Sequence, residues 1–283
     1  MLEGHTSKVW SVAWNPASGT DGKPAILASC GADKTWFMYI RVVMSIEAFL
    51  YIAHNSQTTI EGGGTRTGRS CSWSPDGDML AITSYDGSFS IWKMIEDDFE
   101  QSCILQEKDD EEVVSVSWNP HWDLATCSGN CVRIWSPSSE SEGYESLPAL
   151  EEHTEDVEMV QWHPNQNNLF SCGCDSTIKS QERGGAMKLL LRKEKAHEAD
   201  VNSGQLDPKD KSEPMLEMPL AKKRMDVMNL RERQDEMMQY LFPKKEARKV
   251  EVTAVQWSPK GSRLLASSSD NGTIKIWEFT PRQ

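Results

Sequence analysis

Long hydrophobic runs are absent from this sequence. No run of about 18 apolar residues occurs, so we predict no membrane-spanning helix and no membrane partner. The most apolar stretch, residues 36–53, is interrupted by Arg41, Ser45 and Glu47. No basic segment followed by an apolar one opens the chain, which argues against a secretory leader. We therefore expect a cytoplasmic protein, with the nucleus as the alternative location.

Cysteine pairs with the Cys-x-x-Cys spacing of metal sites are also absent. The seven cysteines are an odd number, which is typical of reduced thiols in the cytosol or nucleus. Cys172 and Cys174 would share one face of a strand and could co-ligate a metal, and Cys127 and Cys131 form the other close pair. Each occupies the position of a small core or turn residue in other copies of the repeat described below. We expect structural roles for them, and no metal or cofactor.

Positive charge is scarce. The 30 Lys and Arg residues face 43 Asp and Glu residues, which gives a net charge of −13. Such a field repels a phosphate backbone, so we expect no nucleic-acid partner. Gly62-Gly63-Gly64 is followed by neither a lysine nor a helical pattern, so it is not a phosphate-binding loop. With no set of nucleophile, base and orienting residue, we expect neither an enzyme nor a small-molecule substrate.

The tryptophans reveal an internal repeat. The motif Trp-x-Pro occurs at residues 14–16, 73–75, 118–120, 162–164 and 257–259, with a decayed copy at Leu206-Asp207-Pro208. Successive prolines are 59, 45, 44, 44 and 51 residues apart. A period near 44 residues matches one four-stranded propeller blade. The sequence therefore predicts an all-β fold built from repeated antiparallel sheets.

Each copy of the motif is accompanied by further sequence features at similar spacing. Most motifs are preceded by Val-x-x-Val-x-Trp, in which the second Val and the Trp are two apart and share a strand face. A strand of small and apolar residues follows, then a tight turn with Asp or Asn, then a strand that in most copies ends in an aromatic residue. This order resembles the WD40 family, whose blades link a His, the turn Asp, a Ser or Thr and the last Trp by hydrogen bonds.

The resemblance assigns this structural tetrad to particular residues. They are His5, Asp33, Asp86, Trp92, Trp135, His153, Asp175, His197 and Trp277. Gly64, Asp109 and Arg248 take the His position in the other copies, so we expect half of the blades to lack the full network.

The repeat becomes less regular towards its C-terminal end, where motif residues are replaced. Six units are recognisable, whereas the family has seven-bladed members, so a closed ring and a gapped ring both remain open. Residues 219–243 show a helical pattern, which predicts one inserted helix at about 220–242; packing on a neighbour, partner binding and disorder are the three interpretations. We predict a WD40 β-propeller with blades 1–4 in residues 1–181, a degenerate blade plus the helical insert in 182–249, and the last blade in 250–283.

A more specific resemblance covers about 190 residues. The non-blade piece Asp97-Asp98-Phe99-Glu100 and the segments 9–16, 124–128 and 153–157 are similar to the cytosolic iron–sulfur assembly WD40 proteins. Two internal blades of that family have no counterpart between residues 179 and 195, and residues 209–249 match nothing in it. The resemblance implies an adaptor that binds other subunits of the cytosolic iron–sulfur targeting complex and apo iron–sulfur proteins, without holding a cluster.

One basic residue is the candidate partner contact. The family carries an exposed Arg in a turn of the third blade, but here that turn is Ser128-Gly129-Asn130. Arg69 in the second blade matches another basic position of the family and is retained. Two alternatives stay open beside the iron–sulfur adaptor. One is an adaptor of a chromatin or ubiquitin-ligase complex, and the other is a rearranged copy with impaired function.

Overall fold

The computed structural model describes residues 2, 4–18, 25–34, 36–40, 57–60, 67–95, 98–107, 111–139, 143–163, 167–183, 187–193, 252–257 and 264–278. Every regular element in these ranges is a strand. The strands are β1 (Val9–Trp14), β2 (Ile26–Gly31), β3 (Trp36–Ile40), β4 (Gln57–Ile60), β5 (Gly68–Trp73), β6 (Met79–Ser84), β7 (Ser88–Ile95), β8 (Asp98–Gln106), β9 (Val113–Trp118), β10 (Leu124–Ser128), β11 (Cys131–Pro137), β12 (Tyr144–Ser146), β13 (Val157–Trp162), β14 (Asn168–Gly173), β15 (Ile178–Arg183), β16 (Met187–Lys193), β17 (Val252–Trp257), β18 (Leu264–Ser269) and β19 (Ile274–Glu278).

The strands pair in chain order into five antiparallel sheets. Four sheets have four strands each and are blade 1 (β1–β4), blade 2 (β5–β8), blade 3 (β9–β12) and blade 4 (β13–β16). The C-terminal blade (β17–β19) has three strands, and Leu2 forms a β-bridge to Ile274 on its β19. The N-terminal end of the chain therefore extends the last blade. The predicted all-β blade architecture is confirmed.

Three fourth strands lie where the sequence indicated no blade strand. β8 pairs with β7 in blade 2 and includes Asp98, Phe99 and Glu100, which the sequence indicated as a non-blade piece. β4 lies within residues 41–64, which the sequence indicated only as an overlong linker after the first blade. β16 pairs with β15 and completes blade 4 up to Lys193, beyond the predicted boundary at residue 181. The Trp-x-Pro motif identifies only the first strand of a blade, and no comparable motif identifies a fourth strand. The predicted helix at 220–242, the decayed copy at 197–208 and the closure of the ring involve residues outside the described ranges.

The blades follow one another through their first strands. β17 contacts β1, and β1, β5, β9 and β13 then contact one another in succession. Apolar cores fill the junctions; between blades 3 and 4, for example, Ala125 and Ile134 pack with Val160 and Leu169. No helix in the described residues is long and apolar enough to cross a membrane.

A β-bulge in the first strand explains the Val-x-x-Val spacing. Two residues three apart face opposite sides of a regular strand, yet Val9 and Val12 are both buried in the same core. The pairing of β1 with β2 shifts between Val9 and Ser11, so one extra residue is inserted there. Blades 2 and 4 have the same shift in their first strands. The bulge thereby turns the next residue away from the buried face: Trp10 follows the buried Val9 in blade 1, and Arg69 follows the buried Gly68, which takes the place of the Val in blade 2.

Polar contacts also join neighbouring blades. The indole N–H of Trp73 donates to the Ala13 carbonyl, and that of Trp118 donates to the Ser72 carbonyl, each at 3.0 Å. The Asn15 side chain donates to the carbonyl of Gly77 in the turn of blade 2, at 2.7 Å. The Trp-x-Pro residues thus connect blades as well as fill cores.

Candidate functional site

Blades 1 and 4 contain the His-centred networks that the resemblance implied. In blade 1, His5 Nδ1 lies 3.0 Å from Asp33 Oδ1, and its Nε2 lies 2.8 Å from Ser29 Oγ. In blade 4, His153 Nδ1 lies 2.9 Å from Asp175 Oδ2, and its Nε2 lies 2.8 Å from Ser171 Oγ. Each imidazole therefore ties the segment before the blade to the second strand and to the turn after it.

The acid of the blade 4 network is held in its charged form. Burial alone would raise the pKa of Asp175, but Thr177, the Thr154 amide and His153 together lower it to about 2. The Thr177 hydroxyl donates to Asp175 Oδ1 at 2.7 Å, and its amide donates to the same oxygen at 3.0 Å. Lys179, fully buried on β15, lies 3.8 Å from the carboxylate and donates to the Glu152 carbonyl. These contacts point to a structural role for Asp175.

The buried His5 predicts a stability change near neutral pH. Burial lowers the pKa of His5 below its usual 6.5, and Asp33 offsets this only in part. Below pH 6.5 the unfolded chain therefore binds more protons at this site than the folded chain does. The stability present above pH 6.5 should fall as the pH falls towards the lower pKa of the folded state. Thermal melts of the wild type and the His5→Gln variant between about pH 5 and 8 measure this change of stability with pH. The wild type should show the steeper pH dependence, and parallel curves would contradict the assignment.

Blade 3, which lacks the His, has a network centred on a carboxylate instead. Glu107, two residues before Asp109, takes the place of the His, and its carboxylate is buried. Trp135 donates its indole N–H to the Thr126 hydroxyl at 2.8 Å, and that hydroxyl donates to Glu107 Oε1 at 2.7 Å. Arg133 Nε donates to Glu107 Oε2 at 2.6 Å. Counting back from the Trp-x-Pro motif missed Glu107 because its segment is out of register with those of blades 1 and 4.

Blade 2 has a reduced network. Trp92 donates its indole N–H to Ser90 Oγ on its own strand at 2.9 Å. Asp86 accepts from the Ser88 amide and hydroxyl, at 3.1 and 2.5 Å, and closes the turn locally. Two predicted tetrad positions cannot be placed, because His197 and the Trp277 side chain lie outside the described residues. Among the described residues, the geometry thus brings the predicted His and Asp together in blades 1 and 4, whereas in blade 2 Asp86 and Trp92 each bond to a Ser two residues away.

The candidate partner contact, Arg69, belongs to a charged cluster across three blades. Its guanidinium carbon lies 4.2 Å from the centre of the Trp10 ring, and Lys8 Nζ lies 3.9 Å from the same centre. Arg69 Nε lies 2.6 Å from Glu112 Oε1, an ion pair that lacks the alignment of a hydrogen bond. We call Lys8, Trp10, Arg69 and Glu112 the Arg69 cluster. Sequence reasoning found only Arg69, since the bulges that bring Trp10 beside it are a tertiary feature.

The Arg69 cluster is partly open to solvent. The side chains of Arg69 and Glu112 are 18% and 22% exposed. Burial raises the pKa of Glu112, and Arg69 and a hydrogen bond with Tyr85 offset this in part. Tyr85 itself is 47% exposed. A guanidinium stacked on an indole and fixed by one carboxylate is pre-oriented for a further acidic group at its outer edge.

The described residues offer no metal centre. No group of three or more His, Cys, Asp or Glu side chains lies close enough among them to hold a metal ion. Cys172 is one of the close pair Cys172 and Cys174. It is buried on β14 of blade 4, and burial raises the pKa of its thiol to about 12. Cys174 Sγ lies 3.6 Å from Glu158 Oε1. A protonated thiol is a poor metal ligand, which fits the structural role predicted for Cys172.

Antiparallel four-stranded blades joined through their first strands, with His–Asp–Ser networks, define a β-propeller repeat protein. The WD40 family, described as "WD domain, G-beta repeat", matches residues 1–39, 56–93, 144–180 and 244–278. These segments make up more than half of the chain, and the chain belongs to this family. The match omits residues 94–143, most of blade 3, where Glu107 takes the place of the His.

Individual relatives show which WD40 proteins this chain is similar to. The chain is 47% identical to Protein CIA1 of Arabidopsis thaliana over 104 residues, which are 36% of this chain and 27% of that protein. It is 33% identical to the probable cytosolic iron-sulfur protein assembly protein 1 of Mycosarcoma maydis over 190 residues, 62% of this chain and 35% of that protein. The chain thus spans about a third or less of the length of these relatives. The predicted resemblance to the iron–sulfur assembly WD40 proteins is confirmed.

Proposed function

We propose that this chain is a protein–protein adaptor in cytosolic iron–sulfur protein assembly. The observation that carries the proposal is its 47% identity to Protein CIA1 over 104 residues. The relatives' names place them in cytosolic iron–sulfur protein assembly. A set of blades fixed by buried networks presents its loops and strand ends at defined positions, which is the physical requirement for an adaptor. The role needs no catalytic group and no resident cluster.

The proposed partners are other subunits of the cytosolic iron–sulfur targeting complex and apo iron–sulfur proteins. The proposed location is therefore the cytoplasm. The Arg69 cluster is the proposed contact surface on this chain, because its Glu112 interacts both with the oriented guanidinium of Arg69 and with the exposed Tyr85. Arginine and tyrosine are enriched among the residues that dominate protein interfaces.

The test of this function is an affinity purification from cell extract with the Arg69→Ala variant. We expect recovery of the iron–sulfur targeting subunits to fall about tenfold, as for loss of one central interface arginine. The matched control is Lys93→Ala, which removes one exposed positive charge from the same blade. Quantitative mass spectrometry of the captured proteins, with a thermal melt of each variant, gives the readout.

Each outcome of this experiment has a distinct meaning. Wild-type recovery of the targeting subunits that falls for Arg69→Ala alone supports both the function and the surface. Equal recovery by both variants contradicts the role of Arg69. Cooperatively melting wild-type protein that recovers none of these subunits contradicts the proposed function.

A further inference from the structure

Trp122 adopts a backbone conformation that is unfavourable for a tryptophan. It lies in the turn between β9 and β10 with φ at 74°. Gly77 holds the same place in the blade 2 turn, with φ at 79°. Both amides donate to the first residue of their turn, Trp122 to the Asn119 carbonyl at 3.0 Å and Gly77 to the Ser74 carbonyl at 2.9 Å. A bulky residue in the left-handed region is strained, and blade 2 shows that a glycine makes this turn.

The Trp122 ring forms part of a half-buried apolar patch between blades 2 and 3. Its centroid lies 6.2 Å from that of the buried Trp118, at an interplanar angle of 86°. Tyr144 also packs edge-on against Trp118, with centroids 6.0 Å apart. The patch, called the Trp122 patch below, consists of Met79, Cys103, Leu105, Trp122 and Tyr144. None of these side chains is fully buried, although all pack against the core of the junction.

The segments that carry the patch are negatively charged. Residues 74–79, 103–105, 119–123 and 144–146 contain Asp76, Asp78, Asp123 and Glu145 and neither Lys nor Arg. The exposed Lys93, which pairs with Met79 across β6 and β7, adds one positive charge beside them. Burial, then Cys103, Asp123 and Asp76, raise the pKa of Tyr144 well above its usual value. The Ser74 hydroxyl donates to Asp76 Oδ1 at 2.6 Å and accepts from the Met79 amide at 2.9 Å, so the Asp76 carboxylate lies in the turn before Met79. Asp123 is buried and accepts from the Ser136 hydroxyl, whereas Asp76 is exposed. The patch thus combines aromatic rings, aliphatic side chains and an exposed carboxylate.

We propose that the Trp122 patch binds a segment of a partner protein in which an Arg or Lys adjoins an apolar side chain. The apolar side chain covers Met79, and the cation lies against an aromatic ring within reach of Asp76, which lies in the turn before Met79. The turn that holds Trp122 follows β9, whereas Glu112 of the Arg69 cluster precedes β9. The proposed contacts at Met79, Asp76 and Trp122 therefore lie at the end of this strand opposite to the Arg69 cluster.

The test measures binding of short fluorescein-labelled peptides by fluorescence anisotropy at physiological ionic strength. The probes are a peptide of alternating arginine and leucine, one of alternating glutamate and leucine, and one of alternating arginine and serine. We expect the arginine–leucine peptide to bind best and Trp122→Gly to weaken its binding about tenfold. Asp76→Asn, which removes the exposed charge, should weaken it about threefold. Arg69→Ala should leave it unchanged.

Thermal melts show which variants are folded. Trp122→Asn is the second variant should Trp122→Gly fail to melt cooperatively, because asparagine tolerates the left-handed conformation. Equal binding of the arginine–leucine and arginine–serine peptides would mean that the negative charge of the chain alone attracts cations, and would overturn the proposal. Unchanged binding by a folded Trp122 variant would overturn it as well. Since the peptides contain no iron–sulfur assembly component, this result is independent of the proposed function.

Discussion

Replacing Glu107 with alanine should lower the free energy of unfolding by about 3–5 kcal/mol. The carboxylate is buried, accepts from the Thr126 hydroxyl at 2.7 Å and pairs with Arg133 at 2.6 Å. Its removal leaves the guanidinium of Arg133, itself only 10% exposed, without this counterion in a site that water scarcely reaches. Equilibrium urea unfolding, followed by tryptophan fluorescence, measures the effect.

Two further variants separate the ion pair from the hydrogen-bond network. Glu107→Gln keeps an acceptor for Thr126 but loses the charge, and should therefore cost less than Glu107→Ala. The double variant Glu107→Leu with Arg133→Met removes both charges together and should recover much of the loss, because apolar pairs of similar volume often replace buried ion pairs at little cost. A double variant as unstable as Glu107→Ala would show that the lost hydrogen bond to Thr126, rather than the unpaired charge, dominates.

Gly77→Ala should destabilise the protein by about 2–3 kcal/mol, through backbone strain and a steric clash between blades. Gly77 has φ at 79°, and a Cβ atom there would lie 2.2 Å from Asn15 Oδ1 and 2.9 Å from the Cβ of Ala17. Asn15 has little freedom to move, because its side chain donates to the Gly77 carbonyl and accepts from the Ala17 amide. Urea unfolding of the variant measures the loss.

A double-mutant cycle identifies the source of the Gly77 effect. In an Asn15→Ala background the oxygen that the new Cβ would meet is absent, so Gly77→Ala should cost clearly less there than in the wild type. The remaining cost is that of a positive φ at alanine and of the close contact with the Ala17 Cβ. Equal costs in the two backgrounds would mean that the junction of blades 1 and 2 adjusts freely and that strain in the turn alone matters.

The sequence predicted the class of fold because a repeat near 44 residues can be read without any structure. It also predicted His5 with Asp33 and His153 with Asp175, since the spacing from the Trp-x-Pro motif is regular in blades 1 and 4. The same counting failed in blade 3, where it indicated Asp109 although Glu107 makes the contacts. A shift of two residues in a connecting segment leaves the period unchanged, so periodicity does not reveal it.

By itself, the sequence determined where the first three strands of most blades lie, which residues of a blade face its core and which family the chain resembles. These are local properties, set by strand periodicity, turn residues and motif spacing. Only the tertiary structure decided which side chains meet across blades, because those contacts depend on bulges and on packing between distant segments. The bulges bring Trp10 beside Arg69, and the turn of blade 3 holds Trp122 against Trp118. Both candidate binding surfaces are therefore products of the packed blades.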